Sequence, residues 1–315
     1  MKQFYILAAA ACLILSCKPT PVEQAEKPDE PQPNPAVSVT LDKENLSLKT
    51  GETETLTATV EPADATDAVV WSSSDEEVAA VEDGVVRALT AGTATVTATA
   101  GTKSATCKVT VSKPIVLNAV DLGLSVLWAD RNLGAESAED SGVYYAWGET
   151  EPRAYYDWNQ YKWADGTHNA LTKYNTHSEY GTVDGITRLQ NADDAAYVAT
   201  EGKWRIPTKE ELSKLMNLQT SWTEREGVKG RLFKSKTGEA TIFIPAGGAF
   251  IKSDAQSVNK HGCIVSSEIC TGGNGYGYMD DYCWYLYFDS GGCIIYGDTR
   301  ARGWTIRPVM DKPAS

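Results

Sequence analysis

The spacing of apolar positions gives the chain several distinct rhythms. Phe4 to Leu15 form an unbroken apolar run that is too short to cross a bilayer as a helix. With Lys2 ahead of it and Ser16 behind, residues 1–16 read as a secretory signal peptide. From 37 to 113 alternation takes over, as in Leu56-Thr57-Ala58-Thr59-Val60 and Ala94-Thr95-Val96-Thr97-Ala98, which is the period of a half-buried strand. Thr and Val suit such a pleated surface. Turn pairs at Thr50-Gly51, Glu61-Pro62, Asp83-Gly84, Ala91-Gly92 and Ala100-Gly101 cut this stretch into short strands without a helical segment. The pattern predicts an all-β sandwich, with Trp71 as an anchor between its sheets.

From 115 to 312 the rhythm is mixed and predicts an α+β unit. Asp193 or Asp194 is placed to cap a short helix through Tyr197. Thr208 with Glu211 three residues on forms a capping box. Leu212, Leu215 and Met216 then fall on one face, so this helix is expected to pack on a sheet. Thr241 to Pro245, Tyr285 to Phe288 and Thr305 to Val309 read as strands among loops.

Composition adds a tether and an address. Pro recurs at 19, 21, 28, 31, 33 and 35, among acidic and small residues with nothing to bury. Residues 17–36 therefore read as an extended spacer, reaching up to about 50 Å at ~3.1 Å per residue. A formal charge of −13 argues against nucleic acid or anionic lipid as a partner, since both require basic patches. Trp128, Tyr144, Tyr145, Trp147, Tyr155, Tyr156, Trp158, Tyr161 and Trp163 crowd together; such crowding makes either a sugar-stacking surface or a large core. Cys263, Cys270, Cys283 and Cys293 are open to two disulfides, to free thiols or, least favourably, to zinc.

The tail carries the sharpest compositional signal. Between Glu268 and Lys312 there is no Lys, Glu or Gln. An asparagine codon whose adenines are replaced at random reaches every amino acid except Lys, Glu, Gln, Met and Trp. Only Met279, Trp284, Trp304 and Met310 in this stretch lie outside the reachable set. One reading is a codon-diversified binding segment over about 263–305. The other is a Gly- and Tyr-rich sheet with tight loops, where long charged side chains are rare anyway.

Three resemblances sharpen these readings. Ile14-Leu15-Ser16-Cys17 resembles a bacterial lipobox, which implies lipidation of Cys17 and a membrane attachment through acyl chains. Val39-Thr40-Leu41, Leu46-Ser47-Leu48, Val70-Trp71-Ser72-Ser73-Ser74 and Gly92-Thr93-Ala94-Thr95-Val96 resemble the bacterial Ig-like group 2 family, which implies a spacer or adhesion module. Val120 to Ala129, Tyr145-Ala146-Trp147-Gly148-Glu149-Thr150, Trp204 to Glu211, Ile244-Pro245-Ala246-Gly247-Gly248 and Arg307-Pro308-Val309 resemble the Fibrobacter succinogenes major paralogous domain of Bacteroidetes lipoproteins. That domain is similar to the C-type lectin-like fold. The same scaffold serves the variable proteins of diversity-generating retroelements, whose C-terminal end forms the binding face.

These resemblances imply an outer-membrane lipoprotein exposed at the cell surface, whose lectin-like head binds an external protein or glycan. The alternative is a structural surface or pilus-associated adhesion protein without a variable ligand site. Contact candidates are Tyr276, Tyr278, Asp280, Asp281, Tyr282, Tyr285, Tyr287, Asp289, Tyr296, Asp298 and Arg300, a set resembling the Tyr- and Gly-rich surface of an antibody paratope. Alternation along Tyr285 to Phe288 requires some of these to face inward. The Glu-Pro-Asn and Trp-Asn-Asp calcium motifs of sugar-binding C-type lectins have no counterpart, so no cofactor is expected. His168, His177 and His261 show no metal or triad spacing and are expected in loops, which argues against an enzyme. A formylglycine-generating activity, known on a related fold, ranks last because its motifs are not found.

Overall fold

The computed structural model describes residues 33–271 and 279–313, so the expected signal peptide, Cys17 and most of the tether lie outside it. The described residues form two compact units that divide between Ser112 and Lys113.

The first unit is built from β1 (Ser38–Leu41), β2 (Asn45–Lys49), β3 (Thr53–Thr55), β4 (Ala58–Glu61), β5 (Val69–Ser73), β6 (Ala79–Glu82), β7 (Val85–Ala88), β8 (Gly92–Ala100) and β9 (Lys103–Ser112). A four-stranded sheet in the order β2-β9-β8-β5 faces a β3-β7-β6 sheet, while β1 pairs with β4. The pairing of β2 with β9 is parallel. Alternation does what it predicts: along β8, Ala94, Val96, Ala98 and Ala100 are buried while Thr93 and Thr95 are exposed. Trp71 packs against both apolar clusters of the sandwich, as an anchor between sheets should. Asn34 and Ala36, expected at the end of the tether, are tied to this unit. The amide of Asn34 donates to Thr66 Oγ1 at 3.0 Å and that of Ala36 to Asp67 Oδ2 at 2.8 Å.

The second unit is mostly β. It contains β10 (Ala119–Val120), β11 (Val126–Ala129), α1 (Ala195–Ala199), α2 (Lys209–Met216), β12 (Gln219–Arg225), β13 (Val228–Lys234), β14 (Thr241–Pro245), β15 (Ala249–Ile251), β16 (Asp254–Gln256), β17 (His261–Cys270), β18 (Met279–Asp289), β19 (Cys293–Thr299) and β20 (Val309–Asp311). Its first and last strands share the sheet β10-β11-β20, which brings the two ends of the unit together. Both helix signals hold. Asp194 caps α1 by accepting from the Tyr197 amide at 3.0 Å. Thr208 and Glu211 complete their capping box at 3.2 and 2.8 Å.

The central sheet β17-β18-β19 carries an apolar core on each face. Period-2 alternation sends Leu286 and Phe288 toward Leu212 and Leu215 of α2, together with Ile242, Ile244 and Ile264. Cys283 and Tyr285 go the other way, toward Trp147, Tyr174 and Trp304. The aromatic crowd is therefore a core. Trp128, Tyr145, Trp147, Tyr156 and Tyr161 are all buried, and the Trp147 indole donates to the Ser266 carbonyl at 2.8 Å. The hydroxyls of Tyr156 and Tyr161 donate likewise to the carbonyls of Tyr144 and Trp147, at 2.6 and 2.7 Å, as buried Tyr and Trp usually require, whereas the Trp128 indole N–H is buried without a partner among the described residues. Arg307 lies in the same interior, with Nε donating to Asn132 at 2.8 Å and its terminal nitrogens to the carbonyls of Ala129 and Phe243 at 3.1 and 2.9 Å.

The five described cysteines of the folded units, Cys107, Cys263, Cys270, Cys283 and Cys293, are free. Of the states left open for Cys263, Cys270, Cys283 and Cys293, the structure shows free thiols. Cys263 and Cys283 pack into one core and Cys293 against the other, on opposite faces of the sheet. Burial pushes the Cys263 and Cys270 thiols up to about 12.

Candidate functional site

Strand register decides which tail residues can meet a ligand. Across β18 and β19, Tyr285 lies opposite Tyr296, Tyr287 opposite Ile294 and Cys283 opposite Asp298. Across β17 and β18, Cys263 lies opposite Tyr287 and His261 opposite Asp289. Directly paired residues share a face, so His261, Tyr285, Tyr287, Asp289, Ile294, Tyr296 and Asp298 all project to one side. There the interior core gives way to a cleft of about 220 Å³, walled by the β15–β16 hairpin on one side and by Trp304 on the other.

The hairpin reaches this position through Gly248. Its φ of +68° is one that L side chains rarely adopt, and an added Cβ would lie 1.9 Å from the Gln256 carbonyl oxygen. Gly248 also donates its amide to the His261 carbonyl at 2.9 Å, which fixes the hairpin to the start of β17.

The cleft is aromatic with one ion pair. Tyr285 and Trp304 have ring centroids 4.7 Å apart, and His261 and Tyr287 5.0 Å apart. Tyr296, at 49% the most exposed aromatic of the set, lies 6.5 and 6.3 Å from Tyr285 and Tyr287. Asp298 pairs with Arg302, the two side chains being 23% and 33% exposed. The Tyr287 hydroxyl donates to Asp289 at 3.1 Å. Burial lowers the His261 pKa more than nearby Asp289 raises it, so the imidazole is neutral at pH 7. Burial also keeps Tyr285 and Cys263 protonated. A site of neutral rings and one internally balanced ion pair is equipped to hold a ligand; its buried groups are poor nucleophiles.

The sequence candidates divide accordingly. Tyr285, Tyr287 and Asp298 line the cleft, and Tyr296 and Asp289 stand beside it. Tyr282 is half-buried further along β18. Tyr276 and Tyr278 lie outside the described residues. Asp280, Asp281 and Arg300 are corrected: all three are buried. Asp280 accepts from the Thr176 amide and, at 2.7 Å, from its hydroxyl. Asp281 pairs with His168 at 3.4 Å, and burial pushes its carboxyl up. Arg300 donates to the Tyr174 carbonyl at 3.0 Å and places its guanidinium 5.2 Å from the Trp147 ring centroid. Tyr285 is also largely buried and meets the cleft only as its floor.

Sequence reasoning missed His261, Trp304, Arg302 and the hairpin residues Gln256 and Ser257. His261 opens a strand and does not sit in a loop. The available signals were the spacing of Arg302 four residues after Asp298 and the exclusion of Trp304 from the diversified codon set.

Comparison with known proteins bears mainly on the first unit. Residues 35–111 match the bacterial Ig-like domain, group 2. A lacto-N-biosidase of Bifidobacterium bifidum is 44% identical over 120 residues, 34% of this chain and 11% of that protein. The minor capsid protein of Enterobacteria phage T3 is 44% identical over 81 residues, 25% of this chain and 18% of that one. A 3-O-alpha-D-galactosyl-alpha-L-arabinofuranosidase of Bifidobacterium longum subsp. longum is 47% identical over 72 residues, 21% and 6% of the two chains. The chain thus spans under a fifth of each of these relatives, and the two glycosidase names belong to proteins matched only over short Ig-like regions. Among solved structures, domains 4 and 5 of the S-layer protein SbsC align at a TM-score of 0.22 and 24% identity, over 25% of this chain and 53% of that one. Domains 1–6 of SbsC align at 0.25 and 13%, over 84% and 26%.

Proposed function

We propose that this protein is a cell-surface binding protein in which the Ig-like unit acts as a spacer and the second unit holds an external ligand noncovalently in the cleft beside β18. The observation that carries this reading is the convergence of His261, Tyr285, Tyr287, Asp298 and Trp304, from four separate stretches of chain, on one aromatic cleft. Ligand pockets are of this kind, mostly apolar and aromatic with a few placed polar groups.

The finer parts of the proposal rest on sequence. The lipobox at Cys17 supports a lipid anchor in the outer membrane, and the match over residues 35–111 supports an adhesion-type spacer. The motifs from Val120 to Val309 support a C-type lectin-like head. If the tail is codon-diversified, the variable set is Tyr282, Tyr287, Asp289, Tyr296 and Asp298, whereas Asp280, Tyr285 and Arg300 serve the framework because they are buried. Catalysis forms no part of this reading, since the cleft groups are neutral or paired.

Arrays of glycans and bacterial surface proteins, probed with wild-type protein and with Tyr287→Ala, test the proposal. Retention of a ligand by the wild type alone is the expected result; retention by both proteins would remove the cleft from the account. In the encoding DNA, a near-copy of the tail codons that differs only at adenines would separate a diversified face from a fixed one.

A further inference from the structure

We infer that the cleft takes a single uncharged sugar residue at the end of a glycan, with the ring lying on the aromatic wall and its hydroxyls bridging the Asp298–Arg302 pair. This inference rests on the reading of the cleft as the binding site, and adds the chemical class of its ligand.

Size argues first. About 220 Å³ is below the ~300–1,000 Å³ of sites that enclose drug-sized molecules. It has room for one six-membered ring with its substituents. A flat protein face or an extended peptide would span the mouth and fill little of the interior.

Charge argues second. The Asp298 carboxylate is neutralised by Arg302, the His261 imidazole is uncharged at pH 7, and Asp289 stands close enough to accept from Tyr287. Acidic and basic groups near the cleft balance, since Asp289 lies beside Arg231 as Asp298 lies beside Arg302, so sialic acids, uronic acids and phosphates find no free countercharge and a cationic ligand finds its nearest carboxylate already paired.

Hydrogen-bonding capacity argues third, and most specifically. A carboxylate only accepts and a guanidinium only donates. Held side by side they offer adjacent acceptor and donor positions. Neighbouring hydroxyls on a sugar ring each donate and accept, so a vicinal pair satisfies both partners at once. The remaining wall is supplied by Tyr285, Tyr287, His261 and Trp304, whose electron-rich faces attract the polarised C–H groups of one side of a pyranose. An aliphatic side chain would use the rings and leave the ion pair unanswered. A ligand that answers a built polar site is distinguished from one that cannot by far more than an added methylene is.

The test is saturation-transfer NMR on the whole chain with the methyl glycosides of galactose, glucose, mannose and N-acetylglucosamine, and with glucuronic acid as the charged control. The expected result is transfer from the aromatic protons to at least one neutral glycoside and weaker transfer to the acid. Asp298→Asn should weaken that binding about tenfold, the scale of one hydrogen bond to a charged group. Tyr287→Ala should abolish it, Tyr287→Phe should keep most of it because the ring remains, and exposed Val198→Ala on α1 should leave it unchanged. Circular dichroism verifies that each variant is folded. Absence of transfer from every neutral glycoside to the wild type overturns the inference, as does binding that survives both Asp298→Asn and Tyr287→Ala. A displayed peptide library captured in a Tyr287-dependent way, with the glycosides inactive, would refute the sugar class while leaving the binding reading intact. Failure of both probes sinks the two together.

Discussion

Arg307 Nε donates to Asn132 Oδ1 at 2.8 Å across 175 residues of chain, and both side chains are sealed from solvent. The Arg-Pro-Val stretch is thereby fastened to the segment that follows β11, while Arg307 also reaches the carbonyls of Ala129 and Phe243. Burial pulls its pKa down to about 9, still above neutral, so the group enters the core as a cation. Replacing it by Met removes three hydrogen bonds and leaves Asn132 and two carbonyls unanswered. Arg307→Met should destabilise the second unit by about 3 kcal/mol or more, read as a lower denaturant midpoint, with the first unit's transition unchanged.

Acid should act through paired carboxylates. Burial pushes the Glu211 carboxyl up, but hydrogen bonds from Arg205, at 2.7 and 2.9 Å, and from the Thr208 amide outweigh it and hold the pKa below 4.5. A carboxyl depressed in the folded state adds stability above its unfolded pKa and loses it as pH falls through the folded value. Asp184 and Asp193 are depressed as well, while burial raises Asp194 and works in the opposite sense. The melting temperature of the second unit should therefore decline as pH drops below about 4.5. In Glu211→Gln that decline should be shallower and the neutral-pH value lower. An unchanged slope would remove Glu211 from the explanation.

Gly248→Ala should harm the cleft more than its size implies. A methyl group there meets the Gln256 carbonyl at 1.9 Å on a backbone turned to φ +68°, and strain of this kind costs on the order of 1–3 kcal/mol. The hairpin must shift to relieve it, so ligand retention should fall together with the melting temperature. Gly238→Ala, where φ is also positive (+80°) but nothing lies within 4 Å of an added Cβ, controls for backbone strain alone.

Thiol reactivity should follow burial. Cys107, Cys263, Cys270 and Cys283 are buried, and Cys293 is partly exposed. Burial raises all five thiols, to about 12 for Cys263 and Cys270. A small maleimide at pH 7 should label Cys293 first among these five and the others only in denaturant. Rapid native labelling of Cys263 would contradict the described packing.

Local chemistry was readable in the sequence, and remote partnership was not. The Thr208–Glu211 capping box, the Asp194 cap and the β8 alternation each depend on residues a few positions apart, and each appears in the fold. Asp280 and Arg300 look like surface residues because nothing near them in sequence can satisfy them. Their partners, Thr176 and Tyr174, lie 104 and 126 residues away. The cleft was half legible for a related reason. Tyr285, Tyr287 and Asp298 follow from one strand pair, but His261 and Trp304 join them only through register and a bridging turn that sequence periodicity does not specify.

The central sheet, with a core on either face, also sets how this protein can change over generations. Substitutions along most of β18 collide with one interior or the other, so drift is channelled to the rim where the sheet runs out beside the hairpin. On the proposed reading, a lineage adapting to new surroundings would alter its ligand by exchanging a handful of side chains at one border, leaving the architecture behind them intact.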